Sequence, residues 1–150
     1  MEYTCPDDPG SRSEHKLARL GPWVLVGVAL HPRQAALLDA PPEPVKGKAL
    51  IDTGASISAI DRNVAERLGL QPINRVPIRA CGDAAPFWAP TYLVLFTFAA
   101  RDLEDRTVAV VGLPLSRKQG DEVALIGRDL LRTARFSYDG PAGGFSLDFG

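Results

Sequence analysis

The chain has 150 residues, of which 45% are hydrophobic, so it is long enough to form one domain with a substantial core. Its 17 basic and 18 acidic side chains leave a net charge of −1, and this balance gives no indication of nucleic-acid binding. The strongest apolar run, Trp23–Leu30, is much shorter than the roughly 20 residues that a membrane-spanning helix needs.

Residues 1–19 are mostly polar and charged and contain Pro6, Pro9 and Gly10, a composition that favours a flexible N-terminal arm. We therefore expect the folded domain to occupy residues 20–150. The N-terminal residues are not a basic segment followed by an apolar one, so they do not resemble a secretory signal peptide. On this basis we expect the protein to be cytoplasmic.

The two cysteines and two histidines offer little for metal binding or nucleophilic catalysis. Cys5 and Cys81 lack the spacing of metal ligands, and we interpret His15 and His31 as surface residues. We therefore expect no metal site and no cofactor.

The first predicted elements are two strands. Trp23–Leu30 is rich in β-branched and apolar residues, which is typical of a strand. The three prolines within residues 41–44 exclude both helix and central strand and indicate a loop. A second short strand at residues 46–51 then leads directly to Asp52.

A short helix is predicted at residues 61–70, with Asp61 as its N-cap and Gly69 as the left-handed residue after its end. More strands and a second helix follow. They are strands at residues 76–80, 87–99, 107–113 and 123–126, a helix at residues 127–135, and two closing strands within residues 135–150. The pattern predicts a mostly β domain with one or two short helices.

The motif Asp52-Thr53-Gly54 occurs once, after the apolar residues of the second strand. Glycine lets the backbone turn sharply, and the threonine hydroxyl can fix the loop by hydrogen bonds. The carboxylate has two interpretations: it caps a turn before a helix, or it is one half of a site in which two carboxylates activate a water. The second interpretation requires another copy of the motif, so it bears on oligomeric state.

A second motif occurs further along, where residues 125–131 read Leu-Ile-Gly-Arg-Asp-Leu-Leu. In this order the two motifs resemble those of the retropepsins, the single-domain aspartic proteases of retroviruses and their cellular and bacterial relatives. The resemblance covers residues 21–149. It implies a closed β barrel of the acid-protease fold and a homodimeric aspartic endopeptidase.

The resemblance also implies roles for individual residues. Asp52 of each protomer would be catalytic, Thr53 would hydrogen-bond between the two loops, and Gly54 would contact the substrate backbone. Gly127 and Arg128 would support the loop. The other residues expected to contact substrate are Ala55, Ser56, Arg79, Ala80, Cys81, Gly82, Asp83 and Ile126. Apolar pocket walls are expected from Ile57, Ile60, Val111, Leu113 and Leu115.

The sequence departs from the retroviral pattern at several places. Ser56 stands where retroviral members carry an aspartate that pairs with the arginine of the second motif, so we expect Arg128 to lack its ion partner. The flap expected at residues 79–88 contains one glycine rather than a glycine-rich tip. In viral members the dimer interface is a sheet of interleaved chain ends, and the apolar tail at residues 145–149 suits either such a sheet or the core.

Two alternatives to a homodimeric enzyme remain open. The chain could be a catalytically inactive peptide-binding or dimerisation module, or one half of an assembly with a different chain. The intact motif around Asp52 favours the enzyme, because a binding module has no need for a partly buried acid. The expected partners are a second copy and an extended peptide or protein, with neither nucleic acid nor a membrane.

Overall fold

The computed structural model describes residues 2–4, 13–79, 85–99, 103–115 and 121–149, and this part of the chain contains ten strands and four helices. In chain order the elements are β1 (Glu2–Thr4), α1 (Ser13–Leu20), β2 (Trp23–Leu30), α2 (Pro32–Ala35), β3 (Val45–Ile51), β4 (Ala59–Asp61), α3 (Arg62–Arg67), β5 (Asn74–Ile78), β6 (Phe87–Phe98), β7 (Arg106–Leu113), β8 (Glu122–Ile126), α4 (Arg128–Leu131), β9 (Ala134–Asp139) and β10 (Gly144–Phe149). The mostly β class predicted from the sequence is confirmed.

Six of the strands close into a barrel. They neighbour one another in the order β2-β3-β8-β4-β7-β6, and β6 pairs back onto β2. The β3–β8 and β4–β7 pairs are parallel, whereas the other pairs of the ring are antiparallel. Strand β5 adds to β6 outside the ring. A ring of this kind has no free edge, and the predicted closed barrel is confirmed.

The main core consists of alternate residues of the barrel strands, because successive side chains on a strand point to opposite faces. Val28, Phe96 and Ile126 are all 0% exposed, and Val64 of α3 packs into the same cluster. Within the described residues, no helix has the length and apolar character needed to cross a membrane.

A smaller sheet has the order β1-β10-β9. Its middle strand directs Phe145, Leu147 and Phe149 into the main core, where the ring centroid of Phe149 lies 5.5 Å from that of Phe98. β10 is paired with β9 along its whole length, and with β1 at residues 144–146. Of the two interpretations of the apolar tail, packing in its own core is the one observed.

The N-terminal segment differs from the predicted flexible arm in the part that the structure describes. β1 pairs with β10, and α1 buries Leu17, which is 1% exposed. Lys16 of the same helix is also buried, at 3% exposed, so a mostly polar segment packs on the domain here. The boundary between residues 19 and 20 stays a prediction.

The two predicted helices are both present but shorter than expected. α3 covers Arg62–Arg67, where the Asp61 side chain accepts a hydrogen bond from the Asn63 N–H as N-cap and Gly69 has a φ of +61°. α4 covers only Arg128–Leu131. The short elements α2 and β4 were not predicted, since four and three residues are too few to show a period.

Candidate active site

Asp52 lies immediately after β3, at the end of the parallel β3–β8 pair. The register places Ile51 opposite Ile126, and the Asp52 N–H donates a 2.9 Å hydrogen bond to the Ile126 carbonyl. The residue is half-buried, whereas Thr53 and Gly54 after it are exposed. The two buried strands therefore hold the backbone of Asp52 where the chain emerges at the surface.

The turn that follows orients the carboxylate. The Gly54 N–H donates a 2.8 Å hydrogen bond to Asp52 Oδ1, and the Ala55 N–H donates to the Asp52 carbonyl at 3.2 Å. A Cβ on Gly54 would lie 3.0 Å from the same Oδ1, which is a tight contact. Glycine therefore suits this position because the backbone approaches the carboxylate closely.

Arg128 holds the loop from α4. Its Nη1 donates to the carbonyl of Thr53 at 2.8 Å and to that of Gly54 at 2.9 Å, and its backbone N–H donates to the Ala55 carbonyl at 2.9 Å. From the sequence, Arg128 was predicted to lack an ion partner because residue 56 is a serine rather than an aspartate. In the described part of the chain, its guanidinium instead pairs with two backbone carbonyls, so the loop is braced without an ion pair.

Ser58 is a supporting residue that the sequence analysis did not identify. It is 0% exposed, its Oγ donates to Asp129 Oδ1 at 2.7 Å, and the same Oγ accepts from the Gly127 N–H at 3.0 Å. Its own N–H donates to both carboxylate oxygens of Asp129 at 3.0 Å. A serine within the apolar run of residues 57–60 was the available signal, because a buried hydroxyl needs hydrogen-bond partners.

Gly127 lies where β8 passes the segment that follows the Asp52 loop. A Cβ built on it would lie 2.7 Å from the carbonyl carbon of Ile57, 2.8 Å from the Ile57 oxygen and 3.0 Å from the Ser58 nitrogen. All three contacts are with backbone, which cannot rotate away as a side chain can. A side chain at position 127 would therefore separate the two segments.

Two other carboxylates near this region are fully engaged by the fold. Asp129 accepts from Ser58 and from the Leu130 N–H, and Asp61 accepts from the Asn63 N–H at 2.9 Å and from the Leu115 N–H at 2.8 Å. Both therefore stabilise backbone turns. Among the described residues, no group of three or more His, Cys, Asp or Glu side chains is arranged to hold a metal ion.

A family model described as aspartyl protease matches residues 43–130, which include both the Asp52 loop and Arg128. The chain belongs to the aspartyl protease family. With that match, the resemblance to retropepsin-like aspartic proteases is confirmed. No curated protein sequence matches the chain significantly.

Several solved structures are similar to this chain. The solution structure of simian foamy virus (mac) protease has 15% identity and a TM-score of 0.48, over 74% of this chain and 92% of that one. A retropepsin-like aspartic protease from Rickettsia conorii has 16% identity and a TM-score of 0.46, over 84% of this chain and 90% of that one. EIAV protease complexed with the inhibitor HBY-793 has 15% identity and a TM-score of 0.45, over 85% of this chain and 92% of that one. The family assignment rests on the match to residues 43–130.

The residues predicted to contact substrate have different surroundings. Ala55 is half-buried, and Ser56 and Arg79 are exposed, so these three are accessible. Ile126 is 0% exposed and its carbonyl is bonded to Asp52, so the prediction that it contacts substrate is corrected. Ala80, Cys81, Gly82 and Asp83, the predicted flap tip, lie outside the described residues.

The predicted pocket walls are similarly divided. Ile60 and Val111 are 0% and 1% exposed and belong to the interior, which corrects their assignment to an open pocket. Leu113 and Leu115 are half-buried and pack on a second apolar cluster formed by Ala59, Ala89 and Val111. Ile57 is 36% exposed. Ile57, Leu113 and Leu115 therefore remain as candidates for an apolar wall.

Proposed function

We propose that the protein is an aspartic endopeptidase that acts as a homodimer, with one Asp52 from each protomer. The observation that carries this is the geometry of the Asp52 loop. One carboxylate oxygen is held by the Gly54 N–H, and the loop carbonyls are bonded to Arg128. This preorganised carboxylate lies in a chain of the aspartyl protease family.

Among the described residues, the two carboxylates considered as partners for Asp52 are engaged elsewhere in the fold, which supports the need for a second copy. Asp61 and Asp129 already accept backbone hydrogen bonds, so neither is free to act beside Asp52. A two-fold axis beside the loop supplies an equivalent second carboxylate, because an isologous interface brings two copies of one residue to a shared point.

Two carboxylates at hydrogen-bonding distance share one proton. The ionised one takes a proton from water as the water oxygen attacks the scissile carbonyl carbon, and the protonated one gives its proton to the carbonyl oxygen. The tetrahedral diol then collapses. The carbon–nitrogen bond breaks, a proton passes to the amine that leaves, and a carboxylic acid remains. No metal and no covalent intermediate are required.

The proposed substrate is an extended peptide that binds across the dimer as an added strand. Ser56 and Arg79 are exposed, and Leu113 and Leu115 are half-buried on the second apolar cluster. Together these residues offer polar and apolar contacts to successive side chains of such a peptide.

The test compares wild type with Asp52→Asn on a mixed peptide library at mildly acidic to neutral pH. Asp39→Asn, in an exposed loop, is the matched control. We expect cleavage by wild type and by Asp39→Asn and no cleavage by Asp52→Asn. Equal cleavage by all three, or no cleavage by a folded, dimeric wild type, would contradict the proposal. The second of these results would favour a peptide-binding module.

Subunit mixing tests the dimer separately. When equal amounts of wild type and Asp52→Asn exchange subunits, about one quarter of the dimers contain two intact loops. At constant total protein, we therefore expect activity to fall to about a quarter of that of pure wild type. A fall to only about a half would mean that each chain acts alone.

A further inference from the structure

A groove lies between α3 and the face of β6 that carries Pro90 and Tyr92, and its cavity has a volume of about 190 Å³. Ala65 and Leu70, which are 4% and 8% exposed, line it from the helix side, and the half-buried Pro90 and Tyr92 line it from the strand. An apolar cavity of about 150 Å³ admits benzene, whereas pockets for whole small-molecule ligands measure about 300–1,000 Å³. The groove therefore fits one large apolar side chain.

Two glycines shape the groove. A Cβ on Gly112 of β7 would lie 2.8 Å from Tyr92 Cε2 and 3.5 Å from Pro90 Cγ, so the absence of a side chain gives these two rings room beside β7. Gly69 has a φ of +61°, which glycine adopts without strain, and this turn after α3 brings Leu70 to the cavity. The groove is thus formed by positions at which a larger residue would clash or be strained.

An exposed apolar patch borders the groove. Successive side chains of a strand point to opposite faces, so Trp88 lies on the same face of β6 as Pro90 and Tyr92. It is 62% exposed. Ile73, directly before β5, is 56% exposed and donates its N–H to a carbonyl of β6. Exposed apolar surface with a polar rim is typical of an interaction site.

This face of β6 is opposite to the one that carries the candidate apolar wall. Ala89 lies between Trp88 and Pro90 in sequence, is 0% exposed and belongs to the second apolar cluster, on which Leu113 and Leu115 pack. Because the side chains alternate, Trp88 and Pro90 point away from that cluster. The groove is therefore a separate surface from the peptide site proposed beside Asp52.

The rim of the groove is charged. Arg62 and Glu66 of α3 line the cavity at a spacing that allows ion pairs on a helix, and the structure shows no ion pair between these two described residues. Arg75 of β5 lies opposite Pro90 and donates from Nη2 to the Trp88 carbonyl at 3.3 Å, which leaves other guanidinium donors for a ligand. Two cations against one anion favour an acidic partner.

We infer that the groove binds an extended peptide segment of another protein, with one large apolar side chain in the cavity and acidic residues beside Arg62 and Arg75. Arg62 is on the α3 side of Pro90 and Arg75 is on the β5 side, so acidic residues before and after the apolar one each reach an arginine. Trp88 packs on the segment next to the cavity. Tryptophan, tyrosine and arginine are the residues that contribute most at such interfaces.

The location of binding is tested with a blocked synthetic peptide, acetyl-Asp-Ala-Phe-Ala-Asp-amide. The full chain carries Asp52→Asn, so that the peptide is not cleaved. In proton–nitrogen NMR spectra, we expect the peptide to shift the backbone amides of Ala65, Gly69 and Leu70 and to leave those of Gly54 and Ala55 in place. Shifts confined to Gly54 and Ala55 would place the peptide beside Asp52 and would contradict the inference.

The chemistry of the peptide is tested by calorimetric titration of two further peptides. In one, both aspartates are replaced by lysine, and in the other the phenylalanine is replaced by alanine. We expect each to have a dissociation constant about tenfold or more above that of the first peptide. Equal affinity for the acidic and the basic peptide would overturn the charge assignment, and equal affinity for the alanine peptide would overturn the role of the cavity.

Variants of the groove give the matched comparison. We expect Trp88→Ala and Arg62→Glu each to raise the dissociation constant of the acidic peptide about tenfold. Phe87→Ala, on the opposite face of β6 and 41% exposed, and Arg67→Glu, exposed on α3 outside the cavity, should leave it unchanged. Arg62→Glu should also bind the lysine peptide more tightly than its parent does.

The outcomes do not depend on protease activity. If Trp88→Ala and Arg62→Glu bind the acidic peptide as tightly as their controls, the groove is not a peptide site, even when wild type cleaves peptides elsewhere. If both weaken binding and the controls do not, the site is supported, even when the chain is not a protease. Unchanged NMR resonances far from the groove show that each variant is folded.

Discussion

The hydroxyl of Ser58 donates a 2.7 Å hydrogen bond to Oδ1 of Asp129, which is 71 residues away in sequence. Ser58 is 0% exposed and also accepts from the Gly127 N–H. This one hydroxyl therefore ties the segment after the Asp52 loop to the start of α4, from which Arg128 reaches the loop carbonyls.

Ser58→Ala should destabilise the fold. The substitution leaves the Gly127 N–H without its acceptor and removes one donor to Asp129, and an unsatisfied buried polar group costs about 1–3 kcal/mol. Urea denaturation measures the free energy of unfolding. Ser56→Ala, at an exposed position, is the control and should change it by less than about 0.5 kcal/mol. Equal stability of the two variants would show that the hydroxyl is unimportant.

Arg128→Lys should reduce activity more than stability. Arg128 reaches both loop carbonyls through Nη1 alone. A lysine ammonium on a flexible four-carbon stem lacks the rigid planar guanidinium that positions this nitrogen, so the loop becomes less well held. We expect kcat/KM for peptide cleavage to fall about tenfold, or about 1.4 kcal/mol. Arg132→Lys, exposed just after α4, should retain full activity. A fully active Arg128→Lys would show that charge alone suffices.

Gly127→Ala should cost more stability than an ordinary glycine substitution. The new Cβ would lie within 2.7 Å of the Ile57 backbone, and overpacking of this kind costs about 1–3 kcal/mol. Gly140→Ala is the matched control, because its Cβ would lie 3.4 Å from Tyr138 Cε1. Thermal melts of the two variants give the comparison. An unchanged melting temperature for Gly127→Ala would mean that the two segments separate without cost.

Phe149→Ala should strongly destabilise a single protomer. Phe149 is 9% exposed, packs on Phe98, and lies under the guanidinium of Arg106 at 5.2 Å. Removal of such a buried ring costs about 3–5 kcal/mol. Leu37→Ala, at a side chain that is 84% exposed, should have little effect. If Phe149→Ala instead changes only the dimer dissociation constant, β10 belongs to the interface rather than to the core.

Much of the architecture could be predicted because it depends on local patterns. The apolar runs of β2, β3 and β8 were visible in the sequence, and the Asp61 cap and Gly69 marked α3. α2 and β4 were not visible, since elements of three or four residues carry no period. The buried end of β8 was misjudged at Ile126, because the resemblance to a protease motif does not show which side chains of that motif face the core.

The sequence by itself determined that Asp52 ends a strand at a glycine turn and that its motif occurs once. The first property depends on a few consecutive residues, and the second can be read from the whole sequence without knowing the fold. Only the tertiary structure decided that Arg128 binds the carbonyls of Thr53 and Gly54, that Ser58 binds Asp129, and that β10 lies between β1 and β9. These contacts join segments far apart along the chain, so their energies depend on how the barrel closes and not on any local run of residues.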